Sequence, residues 1–174
     1  MSTKLNQSNV RRWNKLWNFV MAGLLIAMLV NGFSIGPAHA ASNQVPFNAS
    51  FSGTVAFTGP TSAALSGSGI STYLGLTAYA GVVSEITPTD TGLTDVLVET
   101  LTAANGDTIT ILCNQVAIQQ ASGVFQGSDE WTVIGGTGRF AGATGSGTGI
   151  AHVDLNNGTF SKQLIGTISA PGGN

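Results

Sequence analysis

After residue 40 the chain alternates apolar and polar side chains with a period of two, in runs of about ten residues cut by turn signals. Phe47, Ala49, Phe51, Gly53, Val55 and Phe57 alternate with Asn48, Ser50, Ser52 and Thr54, and Gly59-Pro60 stops the run. Residues 64–74, 79–87 and 94–103 follow as strands. Asn105-Gly106 then predicts a type I′ hairpin turn, with positive φ at both residues. Residues 108–119, 124–134, 146–155 and 159–169 complete a count of eight strands, and no helical period of useful length interrupts them.

The links are short, so neighbouring strands are antiparallel; a parallel pair would need a long crossover. The expected architecture is all-β: an eight-stranded antiparallel up-and-down β-barrel over residues 41–174, with its core about 47–169. Closure removes the exposed edges that invite aggregation, and eight strands leave a lumen that side chains fill or that holds one small ligand. An outer-membrane barrel would carry aromatic girdles. Beyond residue 40 only Trp131, Tyr73 and Tyr79 are aromatics of the interfacial type, and the tail Pro171-Gly172-Gly173-Asn174 has no aromatic end.

The first 40 residues read differently. A basic, polar segment precedes the apolar run 19–30, too short to span a bilayer at roughly 20 residues. Ala38-His39-Ala40 then supplies small residues where a signal peptidase cuts. Residues 1–40 are therefore expected to be a Sec-type signal peptide cleaved near Ala40, which makes the protein secreted or periplasmic with no stable membrane insertion afterwards. Four of the six basic residues lie in this leader, so residues 41–174 carry +2 − 8 = −6. That excess of acid argues against a nucleic-acid partner. One Cys and one mature His, His152, exclude a disulfide scaffold, and no metal-ligand spacing or cofactor motif is present, so neither metal nor cofactor is expected. Cys113, in a strand, reads as a small buried apolar residue rather than a reactive thiol.

The most distinctive stretch is residues 133–145, Val-Ile-Gly-Gly-Thr-Gly-Arg-Phe-Ala-Gly-Ala-Thr-Gly. Gly136-x-Gly138-x-x-Ala141 imitates a dinucleotide fingerprint, but that motif must open a helix. Gly145-Ser146-Gly147-Thr148-Gly149 follows instead, and too little chain remains for a nucleotide fold. The same stretch resembles the glycine signature of the allene oxide cyclase and dirigent superfamily, in the form of an exported bacterial member. Gly135, Gly136, Gly138, Phe140, Ala143 and Gly145 match it, and Thr102–Asp107 looks like the same group. The resemblance implies an eight-stranded allene oxide cyclase-like barrel, with the glycines as a tight excursion and Phe140 plugging one end. Where that group has Thr-His-Leu-Gly, this chain reads Thr72-Tyr73-Leu74-Gly75. The Glu that plant cyclases carry on their first strand has no counterpart here, and the cavity Asp, Arg and Tyr residues of dirigent proteins find no matching positions. The resemblance therefore brings the fold and not the activity.

Candidate chemistry is sparse. Asp95 and Glu99 share one face of a strand; the simplest reading is the solvated outer face, whereas turned inward they would share a proton or grip a cation. Asp129 and Glu130 point to opposite faces. If Val124, Gln126 and Ser128 face the lumen, Glu130 is the acid/base candidate; if Phe125, Trp131 and Val133 do, Asp129 is. Glu130, Asp129 and Glu99 are thus the catalytic candidates, and Tyr73, Tyr79 and Trp131 the ligand-binding ones, through ring stacking or a hydroxyl at a barrel mouth. His152 reads as a hydrogen-bonded strand histidine or a base, and no Gly-x-Ser-x-Gly elbow exists.

Three functions fit these features. The first is a non-enzymatic exported barrel that binds a small apolar molecule in its lumen, alone or as a homo-oligomer. The second, which the resemblance implies, is a cyclase or isomerase that shapes a hydrophobic reactive substrate. The third is a purely structural surface module.

Overall fold

The computed structural model describes residues 43–172. The expected signal peptide, 1–40, lies outside the described residues. Eight strands, β1 (Gln44–Gly59), β2 (Ser62–Ser71), β3 (Gly75–Thr89), β4 (Gly92–Ala103), β5 (Thr108–Ala121), β6 (Val124–Gly136), β7 (Gly145–Asp154) and β8 (Thr159–Ser169), form a closed barrel in chain order. Every neighbouring pair is antiparallel, and β8 returns to pair with β1 from Gln44↔Ser169 to Thr54↔Thr159. The alternation along each strand is the cause: Phe47, Phe51, Leu101, Ile109, Ile111, Leu164 and Ile168 turn into the lumen and are almost fully buried.

The turn after β4 departs from the sequence expectation. Gly106 has φ 88°, but Asn105 is not in the left-handed region. The amide of Gly106 donates to the carbonyl of Ala103, and that of Ala103 to the carbonyl of Asp107. This is the longer hairpin in which one left-handed glycine follows a type I turn, so a single positive φ suffices.

The two ends of the barrel differ. At the end carrying the β2–β3, β4–β5 and β6–β7 connections, the glycine stretch leaves the sheet as a single 3-10 turn, Gly138–Phe140, and Phe140 is buried in the core. Arg139 stitches the three connections together. Its guanidinium donates to the carbonyl of Tyr73 and lies 3.5 Å from the Asp107 carboxylate, and it stacks 5.1 Å from the Phe140 ring centre. Gly138 is confined as well as left-handed, at φ 58°, since a Cβ there would fall 1.8 Å from Asp107 Oδ1. The opposite rim has only tight turns. Next to it a bulge in β3, with Glu85 at φ 56°, turns Ile86 inward.

Candidate functional site

The lumen is layered. Toward the closed end, Phe47, Leu101, Ile109, Trp131, Phe140 and Ile168 pack solid, with Phe47 edge-on to Trp131 at 5.8 Å. Toward the open rim lies a cavity of about 70 Å³, walled by Val55, Leu65, Val83, Ile86, Leu97, Phe125, Val153 and Phe160. Between the two sits a polar layer, and Asp95, Gln115 and Lys162 from it form the cavity floor.

Register builds that layer. Asp95 on β4 pairs with Gln115 on β5, which pairs with Asp129 on β6, so three polar side chains enter the lumen in one row. Lys162 reaches in from β8 and is buried, as are Glu99 on β4 and Cys113 on β5. The Lys162 ammonium donates to Glu99 Oε1 and lies 3.0 Å from Asp129 Oδ2 and 3.6 Å from Cys113 Sγ. Tyr79 on β3 donates its hydroxyl to the same Glu99 oxygen at 2.9 Å. Absent side chains make the room. A Cβ on Gly149 would fall 2.4 Å from Asp129 Oδ1, and one on Gly127 would fall 2.2 Å from Gln115 Nε2.

Burial and charge set the protonation states. Desolvation raises the Asp95 carboxyl to about 6; Lys162 opposes that rise and Asp129 adds to it. Burial pulls Lys162 down, but Glu99, Cys113 and Asp129 together overcome it, so the amine stays a charged ammonium with a raised pKa. Burial, then the Glu99 charge, push both the Tyr79 phenol and the Cys113 thiol up, so both remain neutral. Lys162 is therefore a fixed cation and not an amine free to attack a carbonyl. Among the described residues no group of three or more His, Cys, Asp or Glu is placed to hold a metal ion.

The candidates named from sequence separate cleanly. Asp129 and Glu99 meet in the polar layer, and the inward set on β6 is Phe125, Asp129, Trp131 and Val133. Glu130 lies on the exposed outer wall, as does His152. Asp95 and Glu99, expected on the solvated face, face the lumen instead, because Leu97, Leu101 and Ala103 of the same parity belong to the core. Tyr73 stands in the β2–β3 turn at the closed end with φ 68°, Tyr79 lies beneath the floor, and Trp131 donates to the carbonyl of Thr148 in the packed half, so none of the three lines the cavity. Sequence reasoning passed over Lys162. Its signal is parity: it shares a strand face with Phe160, Leu164 and Ile168.

The barrel is similar to the pterocarpan synthase dirigent protein GePTS1. Identity is 18%, the match covers 72% of this chain and 90% of that one, and the TM-score is 0.45. No family model and no curated protein matches the chain. Among the described residues no helix is long and apolar enough to cross a membrane.

Proposed function

We propose that this is an exported barrel that binds a small, mainly apolar molecule, inserted through the open rim to rest on the polar floor. The observation that carries this reading is the asymmetry of the lumen: fully buried Phe47, Leu101, Ile109, Trp131 and Ile168 on one side of the Lys162 layer, an apolar cavity on the other. A purely structural module would gain stability from filling that space. The cavity is roughly half the size of the about 150 Å³ apolar cavity that takes up benzene, so a bound ring projects into the rim. Titration of the methyl-labelled protein with toluene tests this. Shifts at Val55, Val83, Leu97 and Val153 and none at Leu101 and Leu164 are expected, and Ala117→Leu, which enlarges a β5 side chain in the cavity wall, should weaken binding. Spectra that no small aromatic probe moves at saturation refute it.

A second reading rests on Asp95. A carboxyl at about 6, beside an apolar cavity, is suited to move a proton at a bound substrate, as an isomerase or cyclase requires. Turnover of a reactive hydrophobic substrate that Asp95→Asn abolishes while binding persists would establish it. Turnover surviving that change would remove it.

A further inference from the structure

The polar layer has one cation and three carboxylates, Lys162 against Asp95, Glu99 and Asp129, or +1 − 3 = −2 when all are ionised. Its hydrogen-bonding is equally one-sided. Asp95 Oδ1, Glu99 Oε2 and both Asp129 oxygens are buried without a hydrogen-bond donor. Asp129 Oδ2 has the Lys162 charge at 3.0 Å but not the alignment of a hydrogen bond. Buried acceptors left in this state are destabilising, because nothing replaces the hydration they lost. Lys162 donates to Glu99 and Cys113 and sets its charge against Asp129, so the ammonium is already engaged within the layer. An anionic ligand would therefore meet a floor of net negative charge whose only cation is occupied. Of the three acids, Asp95 is the one that lines the cavity, 8% exposed and in line with its apolar walls.

We infer that the molecule taken up by the cavity is a primary amine on a compact apolar body, its ammonium seated against Asp95 on the floor. This rests on the ligand-binding reading and narrows it. The ammonium supplies both missing quantities, positive charge and hydrogen-bond donors, while the apolar body fills the space bounded by Val83, Leu97, Val153 and Phe160. A neutral alcohol supplies a donor without the charge, and a carboxylate supplies neither.

Calorimetric or NMR titration of the full chain at about pH 8 with benzylamine, benzyl alcohol, benzoate and toluene decides the matter, since these probes share one ring and differ at one group. Benzylamine is expected to bind at least about tenfold more tightly than benzyl alcohol, and benzoate to be the weakest of the four. Asp95→Asn should shrink the amine-over-alcohol ratio to within about twofold, while Glu130→Gln on the outer wall leaves it unchanged. Toluene or benzyl alcohol binding as tightly as the amine, benzoate outranking it, or a ratio indifferent to Asp95→Asn would overturn the inference and leave the ligand-binding reading standing. Failure of all four probes to bind would remove both.

Discussion

Lys162 and Asp129 meet inside the barrel at 3.0 Å although a whole strand separates them. Lys162 is on β8 and Asp129 on β6; the intervening β7 places Gly149 opposite Asp129 and Ala151 opposite Lys162. With so little side chain between them, the two charges face each other across the wall, and the same ammonium extends to Glu99 on β4. One lysine thus ties three strands that are not neighbours in the sheet.

Removing that lysine leaves Glu99 and Asp129 buried and uncompensated. Lys162→Met should cost about 3–5 kcal/mol, measured by urea unfolding. Adding Glu99→Gln and Asp129→Asn to it should recover part of the loss, because the unpaired charges and not the lost side chain carry most of the cost. A triple variant weaker than Lys162→Met would contradict this account.

Asp95 should make stability depend on pH. Its carboxyl is raised from 3.8 to about 6, so the folded state holds the proton more tightly than the unfolded chain does. Its contribution therefore falls as pH rises through that window, and above about pH 6 the ionised group is a net cost on the order of 3 kcal/mol. Asp95→Asn should raise the melting temperature at about pH 8 and do little at about pH 4. Equal effects at both pH values would show that the charge is not what costs.

Two glycines of the sheet should respond very unequally to a methyl group. Gly149→Ala drives a Cβ to 2.4 Å from Asp129 Oδ1, whereas a Cβ on Gly135 meets nothing within 4 Å. The first should destabilise by about 1–3 kcal/mol and the second by under about 0.5, in thermal melts. Similar losses at the two sites would mean that the space over Gly149 is not reserved for the carboxylate.

Cys113 should be chemically silent. It is fully buried, and burial together with the Glu99 charge keeps it a thiol. Iodoacetamide at about pH 8 should label it only after denaturant is added, which mass spectrometry reads directly. Labelling of the native protein would indicate that the floor opens to solvent.

Much of the fold was legible because strand alternation and turn residues act locally. Eight strands and their order follow from Gly59-Pro60, Asn105-Gly106, Ser122-Gly123 and Asn157-Gly158 punctuating a period of two. Strand ends were less so: β3 begins at Gly75, ahead of the apolar run, because pairing with β2 extends it. The site was only half legible. On β8 a lysine among Phe160, Leu164 and Ile168 marks itself by parity alone. On β4 both parities are apolar, Leu97 and Leu101 on one and Val96 and Val98 on the other, so the side facing the lumen emerges only when the sheet closes. That Asp95, Gln115 and Asp129 form one row is a matter of register between three strands, which no single strand encodes.

Arg139 and Phe140 seal one end of the barrel, so among the described residues the opening is at the opposite rim. A ligand of the kind proposed would pass the four hairpin tips of that rim, none of which shares a hydrogen bond or ion pair with Lys162 or its acids. Lengthening a tip would screen visitors by size without disturbing how they are held, so admission and grip are free to diverge independently among descendants of this scaffold.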